Sequence, residues 1–245
     1  YVVCRRLVFL SGGITHASFG GIGMAYYFGA NPLLGALLFA VLSALGIETF
    51  TARKQIREDS AIGLLWSLGM AIGIIFIYLT PGYAPNLMSF LFGNILSVTG
   101  TDIFWMGVVD LAILLIFGTM YHPILFVAFD REYARSQNFP TRTISYLMAT
   151  LVAVTIVISI RVVGIVLLIS LLTIPAVIGN LISKSFGRIL LYGSVIAALS
   201  AFAGLYISYQ TNIPSGASTI FVLTVTLIAV KTITFVRLKR RMKTR

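Results

Sequence analysis

Cysteine occurs once in the 245 residues, at position 4, so the chain can form neither an internal disulfide nor a cysteine metal cage. Cys4 reads as a small apolar filler. Acidic residues number seven, and charged residues of both signs together make up 10% of the chain. A soluble domain carries about 25%. That scarcity excludes an ordinary globular enzyme and a disordered tail. Also missing are a Walker loop, an HExxH motif and a Gly-x-Ser-x-Gly elbow. Nothing here hydrolyses ATP, and the chain is not expected to be an enzyme. What is abundant is apolar: 58% hydrophobic residues and a mean hydropathy of +0.99, the composition of a polytopic membrane protein.

A spanning helix needs roughly 20 mostly apolar residues to cross about 30 Å of hydrocarbon. Eight stretches qualify: 7–28, 32–50, 60–79, 103–121, 142–160, 162–182, 187–208 and 217–237. A ninth, 85–98, is too short to cross. Pro81, Gly82 and Pro85 precede it and Gly93-Asn94 interrupts it, so it reads as a re-entrant or surface half-helix. The expected fold class is all-α, a helix bundle of eight spans and one half-helix in a single transmembrane domain, 1–245.

The basic residues fix an orientation. Eighteen Lys and Arg against seven acids give net +11, a balance that in a soluble chain would point to nucleic acid. With eight crossings, however, sixteen of the eighteen fall in the connections or flanks on the side of residues 1–6. These are Arg5, Arg6, Arg53, Lys54, Arg57, Arg131, Arg135, Arg142, Lys184, Arg188 and the six between Arg237 and Arg245. Arg161 lies on the other side and Lys231 within the last span. Cytoplasmic loops collect Lys and Arg, so this side is expected to be cytoplasmic, the C-terminus included, and no nucleic acid is required. Tyr1-Val2-Val3-Cys4 runs directly into Arg5-Arg6 without an initiator methionine or a signal peptide. It reads as the last turn of a span that begins earlier, so one N-terminal helix is expected to be absent from the chain.

Ionisable groups inside the bilayer are costly, by about 2.5–3.5 kcal/mol on insertion scales. His16 lies mid-span among small residues, with Gly12 and Gly20 four positions away on its own face. Small faces allow close helix packing, so the imidazole points at another helix or at a cavity. It is either a metal ligand lining a pathway or a hydrogen-bonding group between helices. Asp110 is central in 103–121; it faces the bundle interior, where it attracts a cation, pairs with Lys231 or accepts from Ser or Thr. Glu48 lies within reach of Arg53, and Lys231 within snorkelling distance of the basic side. Pro175 is expected to kink its helix. Asn212-Ile213-Pro214-Ser215-Gly216 is a turn at the outer face.

Several stretches, in order, resemble the membrane permease of bacterial ABC importers for zinc, manganese or iron(II). Arg5-Arg6 followed by Thr15-His16-Ala17 resembles that family's basic pair and Asp-x-x-Ser-His-Ala segment. Asp59-Ser60-Ala61-Ile62-Gly63 is similar to its Asp-Thr-Ala-Ile-Gly. Phe92-Gly93-Asn94-Ile95-Leu96 with Asp102 resembles Phe-Gly-Ser-Ile-Leu and its following Asp. Phe129-Asp130-Arg131-Glu132-Tyr133-Ala134 resembles Phe-Asp-x-Glu-x-Ala. Val163-Gly164 through Ile174-Pro175-Ala176, and Asn212 to Gly216, are similar to two further motifs. The resemblance covers essentially the whole chain.

It implies a permease with no cofactor of its own, moving a divalent metal, zinc or manganese before iron, across the bacterial inner membrane. The implied partners are cytoplasmic ATP-binding cassette subunits, an extracytoplasmic metal-binding protein, a second permease copy and membrane lipid. The resemblance makes His16 a transient metal ligand on the translocation pathway, with Asp110 as a possible source of charge beside it. It makes Asp130, Glu132 and Ala134 the loop that couples to the ATPase, within the connection 122–141. Gly12 stands where the family carries the acid of its Asp-x-x-x-His pair, and Asn212 where it carries a loop Asp. The competing readings are an ATP-independent secondary cation carrier and a permease for metal chelates. A carrier usually needs paired intramembrane acids or broken helices, and this chain offers one central acid and no clear inverted repeat.

Overall fold

A computed structural model describes residues 2–3, 8–52, 56–81, 93 and 98–243, with only the backbone described at 161 and 237–243. The described residues form no strand. Their helices are α1 (Val8–Tyr27), α2 (Pro32–Ala52), α3 (Glu58–Leu79), α4 (Gly100–Phe129), α5 (Arg131–Ser136), α6 (Thr141–Val163), α7 (Ile165–Ile182), α8 (Phe186–Thr211) and α9 (Ser215–Lys243). Each of the eight expected spans has its helix. The half-helix expected at 85–98, apart from Gly93 and Val98, and the Arg5-Arg6 pair lie outside the described residues.

By length and hydropathy seven of the helices can cross a membrane, one fewer than the eight expected; α1 is the exception. Its glycines, serines, threonine and histidine dilute the apolar residues. The same small residues put it at the centre, packed against α2 and α3 and touching α6 and α7. Lipid offers no hydrophobic drive between helices, so close van der Waals contact has to hold them. On α3, a Cβ at Gly69 would lie 2.5 Å from the Ala17 Cα, so the two backbones touch there. Gly20 meets Gly69, and Gly23 meets Gly73, in the same seam. Ile14, Ile62, Ile156 and Ile165 are at most 2% exposed and close the core around it.

A second group joins α7, α8 and α9 through Gly179 against Ile189 and Gly204 against Thr219. Gly164, at φ +78°, breaks the chain between α6 and α7. Gly93, at φ +70°, sits against that break, where a Cβ would lie 2.5 Å from the Val163 carbonyl carbon. Pro175 lies within α7, which runs unbroken from Ile165 to Ile182.

The span expected to stop at residue 121 goes further. The backbone departs from helical geometry at Met120 (φ −114°, ψ 26°) and the helix then resumes to Phe129. Pro123 falls in the first turn of this second segment, where its missing N–H forfeits no helical bond. At the other end Thr99 and Asp102 form a capping box, the Thr99 N–H donating to Oδ2 of Asp102 at 2.9 Å. Asp102 therefore starts a helix.

Candidate translocation site and coupling helix

From Leu10 to Gly23 every residue of α1 is buried except His16, which is partly exposed. The hydroxyls of Ser11, Thr15 and Ser18 all donate to carbonyls of their own helix, at 2.8, 2.6 and 2.6 Å. Between Leu10 and Gly23 the imidazole is thus the polar group that α1 offers outward. Its face stacks on the indole of Trp66 of α3, ring centroids 4.3 Å apart and planes 4° from parallel. Phe9 also leans on that indole, ring centroids 5.9 Å apart. Nδ1 of His16 is buried with no hydrogen-bond partner among the described residues. A cross-helix hydrogen bond, one of the two readings open for this histidine, is absent there.

The two glycines on its face differ. Gly20 is locked against Gly69, whereas the nearest atom to a Cβ at Gly12 would be Cδ1 of Ile169, at 3.9 Å. Buried position 12 would therefore admit a Cβ in ordinary contact, as position 20 would not. Asp110 is on the exposed face of α4, which packs on α5 and α6, and the expected inward orientation is not seen in the isolated chain. It forms no ion pair with Lys231, itself exposed. No group of three His, Cys, Asp or Glu side chains comes together among the described residues. A cleft of about 680 Å³ opens between α4, α6, α7 and α8, walled by Phe117, Leu151, Pro175 and Leu190 with Lys184 also on its wall; His16 does not line it.

The connection after α4 is mostly ordered as α5. Asp130 caps this six-residue helix, accepting from the backbone N–H of Glu132 at 3.0 Å and of Tyr133 at 2.9 Å. Ala134 is fully buried against Ile124, Val127, Ile144 and Met148. It faces the chain's own helices, so the surface α5 offers outward is built from Glu132, Tyr133, Arg135 and Ser136. Arg131 donates through Nη2 to Glu48 Oε1 at 2.7 Å and to Ser145 Oγ at 3.0 Å. Arg53, expected within reach of Glu48, lies outside the described residues; among those described, Glu48 pairs with Arg131. Thr49 and Tyr146 also share a hydrogen bond, at 2.9 Å. The end of α2, the start of α6 and α5 therefore meet at one end of the bundle, as the charge pattern requires.

Residues 1–234 match the family model described as the ABC 3 transport family. The chain belongs to that family. It is 37% identical over 222 residues to an uncharacterized membrane protein of Synechocystis, covering 91% of this chain and 79% of that protein. It is 33% identical, over 91% of this chain and 76% of the relative, to the manganese transport system membrane protein MntC of Halalkalibacterium halodurans. Its fold matches a chain of PsaBC from Streptococcus pneumoniae in complex with Fab, with a TM-score of 0.81, 28% identity and coverage of 94% and 82% of the two chains. The chain is a multi-pass membrane protein of a metal ABC transport family, built as a helical permease. Trp66 and the Arg131–Glu48–Ser145 cluster were not read from the sequence. The spacing Ile62, Trp66, Gly69, Gly73 on α3 is the signal that could have found the first.

Proposed function

We propose that this chain is the permease of an ABC importer that carries a divalent metal ion inward across the bacterial inner membrane. Manganese, zinc and iron(II) are the candidates, and manganese has the support of a named relative. Separate ATPase subunits engage the outward surface of α5 on the cytoplasmic side, where the C-terminus also lies. An external binding protein delivers the metal, and a second permease copy completes the pathway. His16 contacts the ion in transit. The observation that carries this reading is the family match over residues 1–234; the partial exposure of His16 within the otherwise buried stretch from Leu10 to Gly23 supports its role.

The test is reconstitution of the full transporter in proteoliposomes. Metal-stimulated ATP hydrolysis with metal uptake is expected. Uptake that continues without the ATPase would replace this reading with a secondary carrier, and stimulation by chelates alone would replace the free ion.

A further inference from the structure

The geometry points to Trp66 as the positioning residue of the translocation site: its indole holds the His16 ring so that the ring's far side is presented to the passing ion. This rests on the reading of His16 as a transit ligand and adds to it how the ligand is held.

A metal-binding histidine almost always donates its second ring N–H to a carboxylate or carbonyl, which fixes the ring and makes it more basic. His16 has no such arrangement at Nδ1, which is buried and unpartnered. Its orientation has another source. One face of the ring is covered by the indole, 4.3 Å away and within 4° of parallel. With that face and the Nδ1 edge closed, the remaining exposure of His16 belongs to the opposite face and the Nε2 edge. A metal binds in the ring plane through a nitrogen lone pair, so a stack on the face leaves Nε2 free to ligate. Polarisation of the imidazole by a bound cation is also favoured over the electron-rich indole face.

The seam beneath sets the distance between the two rings. The Ile62 side chain packs on Gly13 and the Gly69 backbone on Ala17, one turn to either side of Trp66, with no room for a side chain at either glycine. Phe9 also contacts the indole, ring centroids 5.9 Å apart. Position 66 is therefore held close to position 16 by packing of α3 on α1.

Two measurements test this. In the reconstituted transporter, Trp66→Leu should raise the metal concentration for half-maximal uptake about tenfold, the lower end of what loss of an orienting partner costs a metal ligand. The maximal rate per assembled complex should change little, and Trp66→Phe should recover most of the loss. The second measurement needs no substitution at position 66. The chain has two tryptophans, so Trp105→Phe leaves Trp66 as its sole indole. With the full permease chain in nanodiscs, Co²⁺ as probe should quench that emission, and His16→Leu should abolish the quenching and change the unliganded intensity. Unchanged emission and persistent quenching in His16→Leu overturn the proposal. So does a Trp66→Leu transporter that keeps its half-maximal concentration, or loses only yield without rescue by phenylalanine. Normal uptake by His16→Leu instead removes the transit-ligand reading itself. If His16→Leu stops uptake while Trp66→Leu leaves the half-maximal concentration unchanged, only the positioning role fails.

Discussion

Substituting Glu48 tests how α5 is held to the bundle. A helix of six residues has no stability of its own, because nucleation costs more than one turn returns. Three tethers hold α5: the Asp130 cap, the Ala134 methyl in its apolar pocket, and the Arg131–Glu48 pair. The side chains of that pair are 23% and 17% exposed, between a surface pair and a buried one. Exposed pairs contribute about 0.2–1 kcal/mol, and breaking a buried pair costs about 3–5 kcal/mol because a charge is left uncompensated. Nε of Arg131 is already buried without a partner, so the guanidinium has little to fall back on. Glu48→Leu should therefore cost about 2 kcal/mol, and Glu48→Gln, which keeps a neutral acceptor, roughly half as much. Because the pair joins α5 to α2, the loss should appear as local opening of α5. At 1.4 kcal/mol per factor of ten, about 2 kcal/mol is roughly a 30-fold rise in the open population. Hydrogen exchange at the amides of residues 134–136 in nanodiscs reads that rise directly. The reconstituted transporter should also hydrolyse more ATP per ion moved. Unchanged exchange in Glu48→Leu, or a uniform increase across all helices, would refute the reasoning.

Three further outcomes follow from the geometry. Gly69→Leu should block assembly, since its Cβ already lies 2.5 Å from backbone of α1, whereas Gly63→Ala, with nothing within 4 Å, should express normally; yields of folded protein compare them. Gly12→Asp should shift metal preference or tighten metal binding, because it restores an acid one turn from His16 at a buried position where a Cβ makes only ordinary contact with Ile169; uptake competition between manganese and zinc by the folded transporter measures it. With Cys4 replaced, a cysteine at Ser215 should react with an impermeant thiol reagent in intact cells and one at Ser136 should not, and the reverse pattern would invert the proposed orientation.

The spans were legible because helix length and hydropathy are local quantities set by bilayer thickness. The exceptions have physical causes. In α1, helix packing is bought with glycine, which lowers hydropathy in the helix that is most enclosed. The span expected to end at residue 121 continues to Phe129, because the first turn of its second segment tolerates Pro123. Arg131, which pairs with Glu48, is 83 residues away, beyond the reach of any local pattern. Trp66 escaped notice because an indole in an apolar span resembles any core residue. Only the match between its stripe and the small stripe of α1 distinguishes it.

The two positions where this chain lacks an acid of the family pattern are not equivalent. Asn212 ends α8 in the left-handed conformation, φ +56°, which asparagine adopts more readily than most residues. Ser208 then closes the turn onto the Ile213 carbonyl at 2.6 Å. Asparagine there serves the backbone. Position 12 gives no such reason: its φ is ordinary, and a Cβ there would make only ordinary contact with Ile169. On the proposed reading the consequence falls on His16, which is left as a single ligand with no hydrogen-bond partner at Nδ1 among the described residues. A site built this way holds a cation weakly. Weak hold suits passage, since an ion that enters must also leave, and it throws the burden of geometry onto the indole that aligns the ring.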